Sequence, residues 1–216
     1  MSATLPIWTV VPVKEIAGAK QRLAAALSPS LRRDLARAML EDVLTALATA
    51  RGLDGILLVT VDEAARRLAA RYGAEISGED ANDGHTAAVM GAARRLAARG
   101  AAMLTIPGDV PLATAAEIER VIAVYRSGSR FTIVPARDER GSNAILAAPA
   151  DAVPLRFGDD SFFPHLDAAR ARGIEPTVLR LSGIGLDIDT PEDLAAFLAR
   201  PSHTRARALL DQVRAA

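Results

Sequence analysis

Both lysines of the chain, Lys14 and Lys20, fall in one short segment, while the other 24 of its 26 basic residues are arginine. An ammonium is a compact, strongly hydrated point charge and a guanidinium is a planar fork, so their separation suggests a site that needs charge concentrated at a point. Phosphate is the natural ligand. The apolar run Ile7 to Val13 leads into Lys14, Gly18, Ala19, Lys20, Gln21, Arg22 and Leu23. Three cations therefore follow a strand's carboxyl end, where open α/β sheets bind their ligands.

Acidic residues at two later strand ends answer them. Asp109 stands just past the run Leu104, Thr105, Ile106, Pro107, Gly108, placed to ligate a hard divalent cation, which takes oxygen ligands and shares them with substrate phosphates. Capping the helix after Pro111 is its alternative role. Asp187 and Asp189 are two residues apart, which on a strand puts both on one face. Carboxylates so close repel unless a cation lies between them. Next to them, Asp189 or Thr190 reads as a helix N-cap, Pro191 as the first helical residue, and Glu192 and Asp193 as carboxylates at the dipole's positive end. That accounts for Thr190 to Asp193 and leaves Asp187 over; a cap residue can also serve a metal. Cations, carboxylates and an implied Mg²⁺ (or Mn²⁺) are what nucleotidyl transfer requires: neutralised phosphates and an aligned nucleophile. No Walker A sequence occurs, which argues against a P-loop fold.

These residues need a scaffold that brings strand ends together. Short Val-, Ile- and Leu-rich runs alternate with longer Ala-, Arg- and Leu-rich segments of helical periodicity, the pattern of a mostly parallel sheet flanked by helices. Strands are expected at residues 8–13, 55–60, 75–77, 102–106, 131–135, 144–147, 177–181 and 185–188. Helices are expected at 31–50, 63–72, 87–99, 115–127, 162–172 and 191–198, the first capped by Ser28 with Pro29 at its first position. After residue 128 the alternation breaks: two strands flank the polar segment 137–142, an irregular or antiparallel insertion. Residues 1–200 read as one domain and 201–216 as a helical tail, loosely docked or contacting a second copy, so a homodimer is left open.

The 216 residues, half of them apolar, support one well-buried core. Acidic and basic residues balance at 26 each, which gives no basic excess to hold nucleic acid. There is no cysteine, hence no disulfide, no thiolate metal site and no Cys nucleophile. His85, His165 and His203 are too scattered to suggest a His-based metal site. No run approaches the roughly 20 apolar residues of a membrane span, and the expectation is a cytoplasmic protein acting on small molecules without membrane or nucleic acid.

The ordered set Val11, Pro12, Val13, Lys14; Ala19, Lys20, Gln21, Arg22, Leu23; Asp83, Gly84; Gly108, Asp109, Val110, Pro111; Phe157, Gly158, Ser161; and Asp187, Ile188, Asp189, Thr190, Pro191 resembles the 2-phospholactate (phosphoenolpyruvate) guanylyltransferase family, from residue 7 to about 199. The resemblance implies an α/β fold of the nucleotide-diphospho-sugar-transferase (GT-A) type. It also implies transfer of GMP from GTP to the phosphate of 2-phospholactate, phosphoenolpyruvate or 3-phosphoglycerate, with pyrophosphate released, in the building of deazaflavin coenzyme F(420). By position it assigns Asp109, Asp187 and Asp189 to Mg²⁺, with Lys14, Lys20 and Arg22 on the triphosphate; with Asp109 these three cations form the catalytic set. It places Val11, Pro12, Val13, Lys14, Gly84, Thr86 and Gly108 at the nucleotide, and Ser142 or Asn143, Gly158 and Ser161 at the acceptor phosphate. A phosphate there would meet the amides that open the following helix, although Ser161 as a simple cap fits equally. Asp159 and Asp160 sit awkwardly beside such a phosphate. Arg140 is either a cation for the acceptor carboxylate or a surface residue. One departure concerns the base: the family reads Gly, Leu, Asn where this chain has Gly84, His85, Thr86. The expectation is that GTP is preferred with weakened discrimination, which Thr86→Asn would sharpen. The alternatives are a cytidylyl- or sugar-nucleotidyltransferase with another acceptor, and a non-catalytic nucleotide-binding regulator.

Overall fold

The computed structural model describes residues 4–158 and 160–215. Asp159 lies outside them. Strands β1 (Ile7–Pro12), β2 (Gly55–Val59), β3 (Glu75–Ser77), β4 (Ala102–Thr105), β5 (Phe131–Pro135), β6 (Ser142–Ala147) and β7 (Thr177–Val178) form one sheet in the order β3-β2-β1-β4-β6-β5-β7. Among the described residues every pairing is parallel except those of β6, which runs antiparallel to β4 and β5. Helices α1 (Pro29–Thr49), α2 (Glu63–Ala70), α3 (His85–Ala98), α4 (Ala115–Arg126), α5 (Phe162–Ala171), α6 (Pro191–Leu198) and α7 (Arg205–Ala215) complete the chain.

The central strands are apolar on both faces because helices cover both. Val11, Leu58, Leu104 and Val134 pack with Leu44, Leu68, Ile118 and Val121 of α1, α2 and α4, while Val10, Leu57, Met103 and Ile133 pack with Val89, Leu96 and Leu166 of α3 and α5. Helix starts carry the expected signals. Ser28 Oγ accepts from the Leu31 N–H at 3.3 Å, Asp62 from Ala65 at 2.8 Å and Thr114 from Glu117 at 3.2 Å, each satisfying an amide that no carbonyl reaches.

Two features of this topology create the site. The chain proceeds from β1 outward to β2 and β3, then returns to the other side of β1 as β4, so the order reverses between β1 and β4, the position where such sheets open a ligand crevice. Because β6 is antiparallel, its first residues, Ser142 and Asn143, arrive at the edge where β1 and β4 end.

Three sequence expectations are corrected. Residues 185–188 form no strand: the N–H of Gly185 donates to Leu181, its carbonyl accepts from Arg137, and the N–H of Ile188 donates to the Asp109 carbonyl at 3.1 Å. Its backbone is spent on several loops rather than on one ladder. The strand expected over 177–181 is limited to Thr177–Val178. The tail is firmly docked: Ala206 and Leu210 are buried with Leu35, Met39 and Phe197. Asp42 of α1 accepts from the N–H groups of Arg205 and Ala206 at 2.8 and 3.0 Å, so the open end of α7 is capped from another helix.

Candidate active site

The ends of β1 and β4, the start of β6 and the loops beyond them enclose a cleft of about 780 Å³, within the usual range for a small-molecule site. One wall carries Lys14 and Arg22, both exposed and neither in an ion pair among the described residues. Lys20 sits elsewhere. Its ammonium lies 2.6 Å from Asp109 Oδ2 and 2.6 Å from Asp189 Oδ1, with its side chain only 8% exposed. Burial alone would lower the Lys20 pKa, but the charges of Asp109 and Asp189 and their hydrogen bonds outweigh it and raise the value. Lys20 was expected on the triphosphate beside the other two cations; here it is the counter-ion of the carboxylates, because opposite charges at contact distance in a half-buried place hold each other.

The carboxylates are held from several directions. The Ile188 N–H bond to Asp109 couples the two acidic loops. Thr190, not Asp189, is the N-cap of α6, in a capping box with Asp193, which leaves the Asp189 side chain to Lys20. Asn143, expected at the acceptor, uses its amide hydrogens on the Ile184 carbonyl and Asp187 Oδ1, both at 3.0 Å. It orients a carboxylate instead. Burial first, and then the charge of Asp109, push the Asp187 carboxyl up to about 6 despite that bond.

No group of three or more His, Asp or Glu among the described residues closes into a metal cage. Asp109 Oδ1 is nevertheless buried with no hydrogen-bond partner among the described residues, and the Asp109 charge raises the pKa of Asp187. An orphaned carboxylate oxygen beside a second, desolvated carboxylate fits a divalent cation. Magnesium in particular uses one or two carboxylates and takes its remaining ligands from water and phosphates.

The nucleotide set divides on inspection. Val11 is buried in the core, and the cleft lining includes Lys14 but not Val11, Pro12 or Val13. Pro12 ends β1, and Val13 donates its N–H to Val59 at 3.0 Å. Gly108 is also off the lining: a Cβ there would come within 3.1 Å of Leu40 Cδ1, so its smallness lets the Asp109 loop sit against α1. Gly84, the N-cap of α3, does line the cleft, beside Asp83, His85 and Thr86. The Thr86 hydroxyl, expected to read the base, accepts from the Phe157 N–H at 3.0 Å and faces the Phe157 carbonyl at 3.3 Å. It fastens a wall. Phe157 in turn lies between His85 and His165, with ring centroids 4.5 and 5.1 Å away. Burial, with Lys14 adding to it and Asp109 opposing it, holds the His85 imidazole down at about 4.

Of the residues expected at the acceptor phosphate, Ser142, Gly158 and Ser161 line the cleft, as does Asp160. Ser161 occupies the N-cap position of α5 but makes no capping bond with its side chain; its hydroxyl faces Ser142 Oγ at 3.4 Å. Asp160 pairs with Arg140, Nε to Oδ1 at 2.6 Å, which neutralises the carboxylate that looked out of place beside a phosphate. Gly158 turns the backbone at φ 148°, a conformation that other residues avoid. Sequence inspection missed His165, which touches this side from α5. The usable signal was its spacing of four from Ser161, one helical face.

Residues 7–216 match the model of the family described as "Guanylyl transferase CofC like". The phosphoenolpyruvate guanylyltransferase of Conexibacter woesei is 36% identical over 192 residues, 88% of this chain and 86% of that protein. The 2-phospho-L-lactate guanylyltransferase of Methanothermobacter thermautotrophicus is 34% identical over 205 residues, 95% of this chain and 90% of that one. Among solved structures, a Desulfovibrio desulfuricans G20 protein described as a nucleotide-diphospho-sugar transferase superposes with a TM-score of 0.77 at 18% identity, covering 99% of this chain and 96% of its own. That likeness shows the expected fold type.

Proposed function

Because the chain belongs to the guanylyl transferase CofC-like family, we propose that it transfers GMP from GTP to the phosphate of a small phosphorylated carboxylic acid. The observation that carries this reading is the division of the cleft. Lys14 and Arg22, in no ion pair among the described residues, follow β1, Asp109 follows the neighbouring β4 and Ser142 opens the next strand, β6, so that cations, carboxylates and hydroxyls line one cleft in that order, together with Asp187 and Ser161.

In the proposed reaction an oxygen of the acceptor's phosphate attacks the α-phosphorus of GTP. The bond from that phosphorus to the oxygen bridging to the β-phosphate breaks, and pyrophosphate leaves with the electron pair. Lys14 and Arg22 hold the polyphosphate and compensate the charge that gathers on the leaving group. Lys20 fixes Asp109 and Asp189, and Asn143 fixes Asp187, so the carboxylates need not reorganise during the step. Asp109 and Asp187 would hold Mg²⁺ or Mn²⁺, with Asp189 the third carboxylate at the same edge. When bound, such an ion supplies neutralisation of phosphate charge. The Ser142 hydroxyl and the backbone at Gly158 and Ser161 receive the acceptor phosphate, with the Ser161 hydroxyl behind Ser142. The product is a diphosphate-linked guanosine conjugate, which we assign to deazaflavin coenzyme assembly.

Purified protein incubated with each nucleoside triphosphate, Mg²⁺ and phosphoenolpyruvate, 2-phospho-L-lactate or 3-phospho-D-glycerate tests this. Pyrophosphate release with GTP and one of these acids, together with a conjugate of the expected mass, is the outcome anticipated. Turnover only with CTP and an unrelated acceptor would replace the proposal by a cytidylyltransferase.

A further inference from the structure

His165 is 1% exposed and both of its ring nitrogens are engaged. The Arg156 backbone N–H points at Nε2 from 3.0 Å, and Ser142 Oγ lies 2.9 Å from Nδ1. A backbone N–H can only donate, so Nε2 must be a bare acceptor. The ring is therefore neutral, with its single proton on Nδ1, and Nδ1–H donates to Ser142 Oγ. Ser161 Oγ, itself buried, approaches the same oxygen at 3.4 Å as a second, longer donor. With its lone pairs engaged from the protein side, Ser142 has its own hydrogen left for the cleft it lines.

We propose that His165 is a positioning residue: it holds Ser142 as a hydrogen-bond donor toward the acceptor's phosphate and ties the segment carrying Arg156 and Phe157 to the same ring. This rests on the acceptor-side reading given above. A phosphate oxygen only accepts, and a serine hydroxyl left to itself rotates freely between donating and presenting lone pairs. Fixing its direction in advance removes an ordering cost from binding and makes the dipole complementary before the anion arrives. The ring that does this also packs against Phe157 at 5.1 Å, so hydroxyl and wall are set by one side chain.

Two isosteric replacements divide the ring's roles. In His165→Asn the amide nitrogen can stand near the place of Nδ1–H and keep the donor to Ser142. In His165→Gln the amide oxygen can reach the place of Nε2 and keep the Arg156 bond, while the donor to Ser142 is lost. With whichever of the three acids releases pyrophosphate fastest, His165→Gln should raise the acceptor KM about tenfold, the scale of one hydrogen bond to a charged group. Its GTP KM and its kcat at saturating acceptor should stay within about twofold, and His165→Asn should keep the acceptor KM within about threefold. Ser142→Ala should show the same rise, and Ser142→Ala with His165→Gln should be no worse than Ser142→Ala alone. Nitrogen-15 NMR of the native protein should show His165 as the Nδ1–H tautomer.

An Nε2–H or doubly protonated ring would overturn the proposal, as would equal loss toward both substrates or strictly additive variants. If Ser142→Ala leaves the acceptor KM unchanged, the acceptor-side reading falls and takes the proposal with it. If Ser142→Ala raises that KM while His165→Gln does not, the role of His165 falls alone. Should His165→Gln melt below the assay temperature, the tautomer and His165→Asn decide: a tenfold rise in acceptor KM for the asparagine variant sinks the proposal.

Discussion

Lys20 Nζ lies 2.6 Å from Asp109 Oδ2, across 89 residues of sequence, and makes an equal contact with Asp189. One cation thus fixes two carboxylates contributed by different loops. Replacing Lys20 by Met should leave both without their partner beside a third acidic group. We expect a loss of about 2 kcal/mol of stability, between the values for exposed and buried pairs because Asp189 is partly open to water. Turnover should fall by at least about a hundredfold. Added Mg²⁺ should recover part of the melting temperature, since a cation can take over the lost compensation. Thermal melting with and without Mg²⁺, alongside kcat/KM, checks this; unchanged melting and turnover would show the bridge to be inert.

Lys14 differs in kind, lining the cleft exposed and in no ion pair among the described residues. Lys14→Ala should therefore leave the melting temperature within about one degree while raising the GTP KM or lowering kcat about tenfold or more, the scale of a charge-assisted bond. Lys14→Arg should rescue poorly, because a guanidinium does not reproduce a compact ammonium against phosphate. Full activity with arginine would count against the composition argument that first singled out this segment.

Asp109 and Asp193 separate site from scaffold. Asp109→Asn should fold normally and lose at least about a hundredfold in turnover. Asp193→Ala removes the reciprocal half of the α6 capping box and should cost about 1 kcal/mol of stability with little change in turnover. Urea unfolding and kcat measured on both variants distinguish these outcomes. The reverse pattern would mean that the cap and the site had been exchanged.

How much of this was legible beforehand depends on the range over which each feature is encoded. The alternation of apolar runs and periodic segments is local, so the strands at 75–77 and 131–135 and the helix at 191–198 appear with their expected bounds. The polar break after residue 128 signalled an irregular or antiparallel insertion, and β6 is antiparallel to both of its neighbours. Gly185 to Ile188 misled because Ile184, Leu186 and Ile188 are buried like strand residues, while the segment's backbone partners are the turn just before it, at Leu181 and Gly183, and two distant loops, at Arg137 and Asp109. The Lys20 bridges and the Asn143 bond to Asp187 span 44 to 169 residues. Residue types could suggest that cations and carboxylates meet, but not which cation meets them. His165 carried only a spacing, and its meaning depends on β6 arriving from the opposite direction.

Thr86 illustrates how such a contact redirects an expectation. A free hydroxyl beside the base would make Thr86→Asn a selectivity variant. Its bonds to both polar groups of the Phe157 backbone instead make it a clasp on the cleft wall next to the proposed acceptor site. Thr86→Val should cost about 1 to 2 kcal/mol of stability, the range for one or two such bonds, and should raise the acceptor KM. The ratio of kcat/KM for GTP over ATP should stay within about twofold. Competition kinetics with the two nucleotides tests this, and a tenfold swing in the ratio at constant acceptor KM would return Thr86 to the base.

The neutral state of His165 also has a consequence for stability. Burial first, and then the proximity of His85, hold its imidazole down at about 4, against about 6.5 in an unfolded chain. Between those values the unfolded chain binds the proton and the native one does not. The contribution is therefore complete above pH 6.5 and is lost as the pH falls toward 4. Stability should decline through this window by up to about 1.4 kcal/mol per pH unit from this residue, and His85, also held at about 4, acts with the same sign. Asp187, pushed up to about 6, acts with the opposite sign. Comparing the native protein with His165→Asn isolates the histidine, because His85 and Asp187 are present in both. Urea midpoints at pH 7, 6 and 5 should fall more steeply for the native protein than for the variant. Parallel declines would show that the ring at position 165 accepts its proton in the folded state as readily as in water, which is incompatible with a bare Nε2 facing the Arg156 N–H.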